Sequence, residues 1–145
     1  MQGYTTAGEF AAEYRLIGAL AHIALLSADT LHVLRRHIDA VRDKEDATDF
    51  TASSFEGLCV REELDHHDRV VIGYVLHCST YGIITREEDV VRMYSVLGLS
   101  STVAEERIAS LLTREIFTRS HLRRGWEDIP TIVWAPVLFT SFQSL

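Results

Sequence analysis

The fold is decided by residues 70–82, which read Val-Val-Ile-Gly-Tyr-Val-Leu-His-Cys-Ser-Thr-Tyr-Gly. Apolar side chains fall on every side of a helix drawn through Val70–Tyr81, and no charged residue occurs between Arg69 and Arg86. A helix that is apolar all round is a buried central helix, and Gly82 can end it. The length of the run and its helical neighbours favour a helix over a buried strand.

The segments on both sides of this run have the periodicity of amphipathic helices. Apolar positions recur at helical spacing from Phe10 to Leu25, from Leu31 to Val41, from Val90 to Leu97 and from Ile108 to Phe117. A length of 145 residues suits one domain, which we take as residues 1–145. The sequence therefore predicts an all-α fold, with seven to eight helices around a central helix at about 70–81.

The charge balance is acidic, with fourteen Lys and Arg against twenty-one Asp and Glu, giving a net charge of -7. An acidic surface repels phosphate, so no nucleic-acid partner is expected. The basic cluster Arg119, Arg123 and Arg124 is interpreted as the end of a helix, where cations suit the helix dipole. Cys59 and Cys78 lie in apolar patterns and are expected to be buried free thiols, which fits a reducing, intracellular setting.

The densest group of ligand-type side chains is Asp65-His66-His67-Asp68. Adjacent residues on a helix point about 100° apart, so His66 and His67 do not converge on one metal ion. The cluster is instead expected to begin a helix, with Asp65 or Asp68 as its cap. The sequence has no nucleophile elbow, phosphate loop or glycine-rich dinucleotide turn, so we expect neither an enzyme nor a cofactor.

No membrane anchor is expected in this chain. The most apolar tail, Ile129–Phe142, is shorter than the ~20 residues of a spanning helix. Pro130 and Pro136 also interrupt it. The first residues, Met1–Glu9, lack the charged start and apolar run of a signal peptide.

Arg69 is a lone cation directly before the most apolar helix. One interpretation is a surface arginine at a helix start, where the helix dipole slightly disfavours it. The other is a recognition residue for a partner's carboxylate, which the guanidinium fork fits. The chemistry of the residue alone leaves both open.

Three short stretches follow one another along the chain: Leu34–Asp39 (Leu-Arg-Arg-His-Ile-Asp), Ser53–Val71 with its core His66-His67-Asp68-Arg69, and Arg124–Glu127 (Arg-Gly-Trp-Glu). In this order they resemble the third, first and second homology motifs of the Bcl-2 family of apoptosis regulators. Of the Asn-Trp-Gly-Arg core of the first motif, only Arg69 remains. The chain looks most similar to divergent viral members of the family, of the kind that iridoviruses and poxviruses carry.

This resemblance implies a Bcl-2-like bundle and a pro-survival function. The family sequesters pro-apoptotic relatives by holding their amphipathic homology helix in an apolar groove. By motif alignment, Arg69 would pair with the aspartate of that helix and His66 would lie beside it. The remaining groove positions would be Val41, Phe50, Phe55, Leu58, Leu64, Ile72 and Leu76. The partners would be the host's pro-apoptotic proteins, in the host cell cytoplasm or at the mitochondrial surface.

Two alternatives stay open. Some viral Bcl-2-like proteins act on innate signalling through a surface or a homodimer face, without a groove. The third hypothesis is an unrelated helical adaptor or DNA-binding module, because the turn at Gly98–Thr102 between two helices resembles a helix-turn-helix. Against DNA binding, the second of these helices carries Glu105 and Glu106, which repel phosphate.

Overall fold

The computed structural model describes residues 3, 7–47, 59, 61–125 and 127–134. These residues form five α-helices, one 3-10 turn and a two-stranded sheet. The helices are α1 (Ala7–Leu26), α2 (Leu31–Asp46), α3 (His66–Thr80), α4 (Glu87–Val96) and α5 (Ser101–Thr113), the 3-10 turn is Ala28–Thr30, and the strands are β1 (Phe117–Arg124) and β2 (Glu127–Trp134). The described part of the chain is mostly helical, as the sequence predicts. Five helices stand within it where seven to eight are expected along the whole chain.

The helix predicted at about 70–81 is α3, and it begins four residues earlier, at His66. Asp65 and Asp68 cap its first turn reciprocally. The backbone N–H of Asp68 donates to Oδ1 of Asp65 at 3.0 Å, and the N–H of Asp65 donates to Oδ2 of Asp68 at 3.2 Å. Two backbone donors that the helix leaves unpaired are thereby satisfied. The helix ends before Gly82, whose φ of +67° is costly for residues with a side chain.

Helix α3 is buried on all sides, as its composition predicts. Val70, Val71, Ile72 and Val75 have no exposed surface, and the helix packs against α1, α4 and β2. A helix without a polar face must be covered all round, because each exposed apolar side chain would forgo about 1.5–3 kcal/mol of burial. Helix α3 is therefore the centre of the core.

Helices α1 and α3 cross so closely that the contact depends on glycine. A Cβ atom built on Gly18 would lie 2.6 Å from Cβ of His77 and 2.7 Å from the carbonyl oxygen of Gly73. Neither neighbour is the flexible end of a long side chain, so a side chain at Gly18 would force the two helices apart.

Helix α2 lies against α1 with a mainly apolar inner face. Leu34, Ile38 and Val41 are buried at the i, i+4, i+7 spacing of one helix face. At the edge of the contact, Nε2 of His37 lies 3.0 Å from Oε2 of Glu13 on α1. The pattern read from the sequence therefore places α2 correctly.

The end of the described chain is a β-hairpin, so the expectation of an all-α fold is wrong there. Helix α5 stops at Thr113, and Glu115, with a φ of +59°, turns the chain out of the helix. Strand β1 then pairs antiparallel with β2, from Phe117 opposite Trp134 to Arg124 opposite Glu127. Phe117 is buried because it covers the core as a strand residue, although its spacing also fits a helix.

The basic cluster Arg119, Arg123 and Arg124 is consequently on β1 and not at a helix end. The loop between the strands is two residues long, and Gly125 supplies its positive φ of +62°. Two-residue hairpin loops need such a conformation, which glycine adopts without strain. Trp126 lies outside the described residues.

Candidate functional site

Helices α4 and α5 form a helix-turn-helix at the position where the sequence suggests one. The turn runs from Leu97 to Ser100, and Gly98 adopts a φ of +98°. Leu99 packs against the core, which fixes the turn between the helices. The hydroxyl of Ser100 accepts a hydrogen bond of 3.3 Å from the backbone N–H of Val103 and caps the start of α5.

Two features extend this helix-turn-helix. Before α4, Arg86 forms an antiparallel bridge with Thr131 of β2, and the N–H of Ile132 donates to the carbonyl of Thr85 at 2.9 Å. After α5, the β1–β2 hairpin folds back toward α4. The order is helix, short bridging strand, helix, turn, helix and hairpin, which is the winged-helix arrangement.

An ion pair ties the hairpin to the helix-turn-helix. Nη2 of Arg119 lies 2.6 Å from Oε1 of Glu87, and Nε of Arg119 lies 3.1 Å from Oε2 of the same carboxylate. This two-pronged contact between β1 and the first turn of α4 fixes orientation better than a single hydrogen bond. Arg119 therefore sets the hairpin relative to α4.

Helix α5 presents one face to solvent. Its inner face consists of Ala104, Ile108 and Leu111, which are buried in the core. The outer face repeats at the spacing of a single helix side and consists of Ser101, Thr102, Glu105, Glu106, Ala109, Ser110 and Thr113, all exposed. No described element covers this face, which is the one that a helix-turn-helix offers to a ligand.

A polar network holds α5 against α3 and α4. The hydroxyl of Tyr94 donates to Oδ1 of Asp68 at 2.8 Å, and both residues are buried. Nη1 of Arg107, on α5, lies 2.6 Å from Oδ2 of Asp65 and 3.4 Å from Oδ1 of Asp68. The two aspartates that cap α3 thus also anchor one residue from each of the other two helices.

The network determines the protonation of its members. Burial raises the pKa of Asp65, but the hydrogen bonds from Arg107 and from the backbone of Asp68, with the charge of Arg107, lower it to about 2. Burial and the charge of Asp68 raise the pKa of Tyr94 far above the ordinary range. Asp65 is thus an anion and Tyr94 a neutral donor at neutral pH, so both bonds persist there.

The apolar residues predicted to line a groove lie mostly in the core. Ile72 has no exposed surface, and Val41, Leu64 and Leu76 are at most 6 % exposed. A ligand helix could reach these four side chains only if the surrounding helices separated. Phe50, Phe55 and Leu58, the other three predicted apolar positions, lie outside the described residues.

Arg69 and His66, both predicted groove residues, lie together at the start of α3 and face a residue of this chain. Nη1 of Arg69 is 3.5 Å from Oε2 of Glu45 on α2, and Nδ1 of His66 is 3.7 Å from the same oxygen. Glu45 is 8 % exposed, so this is a largely buried charge cluster. Arg69, which the resemblance pairs with a ligand aspartate, thus has a buried glutamate of its own chain as a partner.

A small cleft lies beside this cluster. It has a volume of about 200 Å³ and runs between α2, the first residues of α3 and the end of α4, and we call it the α2–α4 cleft. Its apolar lining is Ile38 from α2 and Val96 and Leu97 from α4. Of the predicted groove residues that the structure describes, His66 alone lines it.

Neither a metal site nor a membrane span is found in the described ranges. No three or more His, Cys, Asp or Glu side chains within them are grouped so that they could hold a metal ion. The helices of these ranges are also too short or too polar to cross a bilayer. Cys59 and Cys78 are buried and form no disulfide, as the sequence predicts.

Comparisons with protein-family models, curated proteins and solved structures find no match for this chain. Functional inference therefore rests on the residues and the geometry of the chain itself.

Proposed function

We propose that this protein binds double-stranded DNA through its helix-turn-helix, with α5 in the major groove and the β1–β2 hairpin against the phosphate backbone. The observation that carries the proposal is the uncovered face of α5 within a winged-helix arrangement. In a helix-turn-helix, the second helix reads base edges while the flanking elements contact the backbone. A fold supports many functions, so the proposal depends on the chemistry of this surface as well.

The acidic charge of the chain is unevenly distributed. Residues 1–65 contain six basic and twelve acidic side chains, whereas residues 66–145 contain eight basic and nine acidic ones. The net charge of -7 is therefore -6 in the first part and -1 in the part that holds the winged helix. Repulsion of phosphate, which the overall charge predicts, is weak where the proposed contact lies.

Within the winged helix, the basic residues concentrate on β1. This strand carries Arg119, His121, Arg123 and Arg124 and no acidic residue. Arg119 is engaged by Glu87. We propose the arginines at 123 and 124, next to the hairpin loop, as the phosphate contacts, in competition with Asp128 and Glu127, which stand opposite them in the strand register. Over Phe117–Trp134 the three arginines outnumber Glu127 and Asp128 by one, and this net charge of +1 supplies the sequence-independent part of the affinity.

The face of α5 is suited to reading bases and poorly suited to holding phosphates. Ser101 and Thr102 stand at its N-terminus, where hydroxyls and backbone N–H groups favour an anion. Glu105 and Glu106 follow, and a carboxylate accepts a hydrogen bond from the amino group of cytosine. Arg107 is held by Asp65 and Asp68 and does not belong to this face. Binding should therefore be weak on arbitrary DNA and stronger on a preferred site.

The decisive experiment is a selection from a random pool of duplexes of about 25 base pairs, since no target sequence is given by the fold. The enriched duplex is then titrated by fluorescence anisotropy at several salt concentrations. We expect enrichment of a common motif and an affinity that falls as salt rises. A pool that stays random after repeated rounds would refute the proposal.

Substitutions distinguish the contribution of the hairpin from that of the exposed face of α5. Arg124→Ala should lower the affinity for every duplex alike and reduce the slope of log K against log salt by about 1. Glu105→Gln should change which duplex is preferred and leave the salt slope nearly intact. Arg36→Ala, on the exposed side of α2, is the control and should alter neither quantity. Equal effects of Arg36→Ala and Arg124→Ala would mean that the hairpin is not the contact.

A second proposal follows from the resemblance to the Bcl-2 family, namely capture of a pro-apoptotic amphipathic helix. The observation in its favour is the α2–α4 cleft, which His66 lines beside Arg69. The ligand's aspartate would have to replace Glu45 as the partner of Arg69, and the helices would have to open around Ile72 and Leu76. Arg124–Glu127, which resembles the family's second homology motif, spans the β-hairpin loop.

This second proposal is tested by measuring the binding of a panel of pro-apoptotic helical peptides to the wild type and to Arg69→Ala. Removing one partner of a desolvated charge pair costs about 2–5 kcal/mol, so Arg69→Ala should weaken binding at least tenfold. Circular dichroism must show that the variant remains folded, because Arg69 also contacts Glu45. A panel without any binder removes the proposal and leaves DNA binding unaffected.

A further inference from the structure

The α2–α4 cleft has a charge pattern that the winged helix does not use. Arg35 and Arg42 on α2 line it, seven residues apart, which places them about 10 Å apart along the helix axis. Both arginines are exposed, and the ion pairs found among the described residues involve other side chains. Asp39 lies between them in the lining, so the rim from α2 carries a net positive charge.

His66 adds a polar group that makes no hydrogen bond with a described residue. Both of its ring nitrogens are buried, and no described donor or acceptor is within hydrogen-bonding distance of either. The nearest carboxylate oxygen, Oε2 of Glu45, is 3.7 Å from Nδ1. A buried imidazole without hydrogen bonds costs stability, and a ligand that provides one would recover that cost.

The rest of the lining is apolar. Ile38 is 5 % exposed, and Val96 and Leu97 pack against the core from the end of α4. An apolar body placed over these three side chains would leave water, while an attached anion remained at the arginine and histidine rim. Sites for small molecules usually combine an apolar wall with a few polar groups in this way.

The size of the cleft limits its occupant. A volume of about 200 Å³ corresponds to roughly six or seven water molecules at their liquid volume. One turn of helix, about 10 Å wide and 5.4 Å long, occupies roughly 400 Å³. As it stands, the cleft therefore fits a compact molecule, and it would have to open before it could hold a helix.

We infer that the α2–α4 cleft binds a small organic anion. Its carboxylate is held by the arginines of α2 and by His66, and its apolar body lies on Ile38 and Leu97. This inference is independent of DNA binding, since it concerns a different surface of the molecule.

The test is calorimetric titration of the full chain, without DNA, using three probes of related size. Benzoate carries both the anion and the apolar body, benzamide has the same shape without the charge, and inorganic phosphate has the charge without the body. With about nine non-hydrogen atoms, benzoate should bind with a dissociation constant of about 1 mM or tighter. Benzamide and phosphate should each bind about tenfold more weakly.

Matched variants locate the site. Arg42→Gln should weaken benzoate binding about tenfold, because a charged hydrogen bond is lost. Arg36→Gln removes the same charge from α2 outside the cleft and should leave the affinity within about twofold. Both positions are exposed, so the fold should survive, which circular dichroism checks. No saturable binding of benzoate, benzamide binding as tight as benzoate binding, or equal losses in the two variants would overturn the inference.

Discussion

Replacing Tyr94 with phenylalanine tests whether the network around Asp68 fixes the helix-turn-helix. The substitution removes one hydroxyl group and keeps the ring that packs in the core. Tyr94 has no exposed surface, and its hydroxyl donates to Oδ1 of Asp68 at 2.8 Å. The loss is therefore confined to one buried hydrogen bond between α4 and α3.

The magnitude follows from the type of bond. A hydrogen bond to a charged group contributes about 1.5–3 kcal/mol, and water cannot replace the hydroxyl where both partners are buried. Asp68 keeps Arg107 at 3.4 Å and the backbone N–H of Asp65, which places the expected loss in the lower half of that range, about 1.5–2 kcal/mol. For a chain of this length, the melting temperature should fall by about 4–8 °C.

The assay is chemical denaturation of both forms, followed by circular dichroism, with Tyr81→Phe as the matched control. Tyr81 is 67 % exposed, so the same substitution there should change the free energy of unfolding by less than about 0.5 kcal/mol. Hydrogen exchange should also speed up in α4 and α5 of the Tyr94 variant. If Tyr94→Phe were no more destabilising than Tyr81→Phe, the network would not hold these helices together.

Three further predictions concern the core and the first turn of α3. Gly18→Ala should lower the free energy of unfolding by about 1–3 kcal/mol in denaturant titration, because the added methyl group meets the backbone of Gly73. A neutral result would mean that α1 and α3 do not cross so closely. Asp65 has a lowered pKa of about 2, so its ionised form stabilises the fold above its ordinary pKa of 3.8, and this contribution is lost as the pH falls through 2. The difference in unfolding free energy between wild type and Asp65→Asn should therefore shrink between pH 3.8 and pH 2. A difference that stays constant over this interval would contradict the ion pair. Burial raises the pKa of the Cys78 thiol, so a thiol reagent at pH 8 should modify it far more slowly in the native than in the denatured protein.

The central helix could be predicted because its signal is local and strong. Twelve residues without a charge, apolar on every side, leave few structures other than a buried helix, and Asp65 and Asp68 were recognisable as caps. The partners of these aspartates were not predictable. Arg107 is 42 residues from Asp65 and Tyr94 is 26 residues from Asp68, and such contacts depend on how the helices pack.

The β-hairpin was missed for a different reason. Ile116 and Phe117 continue the helical spacing of α5, and only the left-handed backbone at Glu115 separates the helix from the strand. Gly125 and Trp126 do provide a signal for a hairpin loop, because they form a two-residue break between the two eight-residue segments that become β1 and β2. The same residues, Arg124–Glu127, resemble a homology motif, and that resemblance competes with the hairpin pattern.

Arg69 shows the limit of motif reasoning. The sequence singles out Arg69 as a cation at the start of the central helix, and His66 lies beside it there. It does not reveal Glu45, 24 residues earlier, which approaches Arg69 from α2. A guanidinium with a carboxylate of its own chain is satisfied without a ligand, so its position alone does not define a binding site.

The two proposed surfaces are linked by the first turn of α3. His66 lines the α2–α4 cleft, and the aspartates on either side of the His66-His67 pair hold Tyr94 and Arg107 of the helix-turn-helix. The cleft also contacts Val96 at the end of α4 and Leu97, the first residue of the turn. An anion that shifts His66 or Leu97 would thus act on the same bonds that orient α5. If DNA binding to α5 changes the affinity for the anion by a given factor, the anion must change the affinity for DNA by the same factor, because coupling between two binding equilibria is reciprocal.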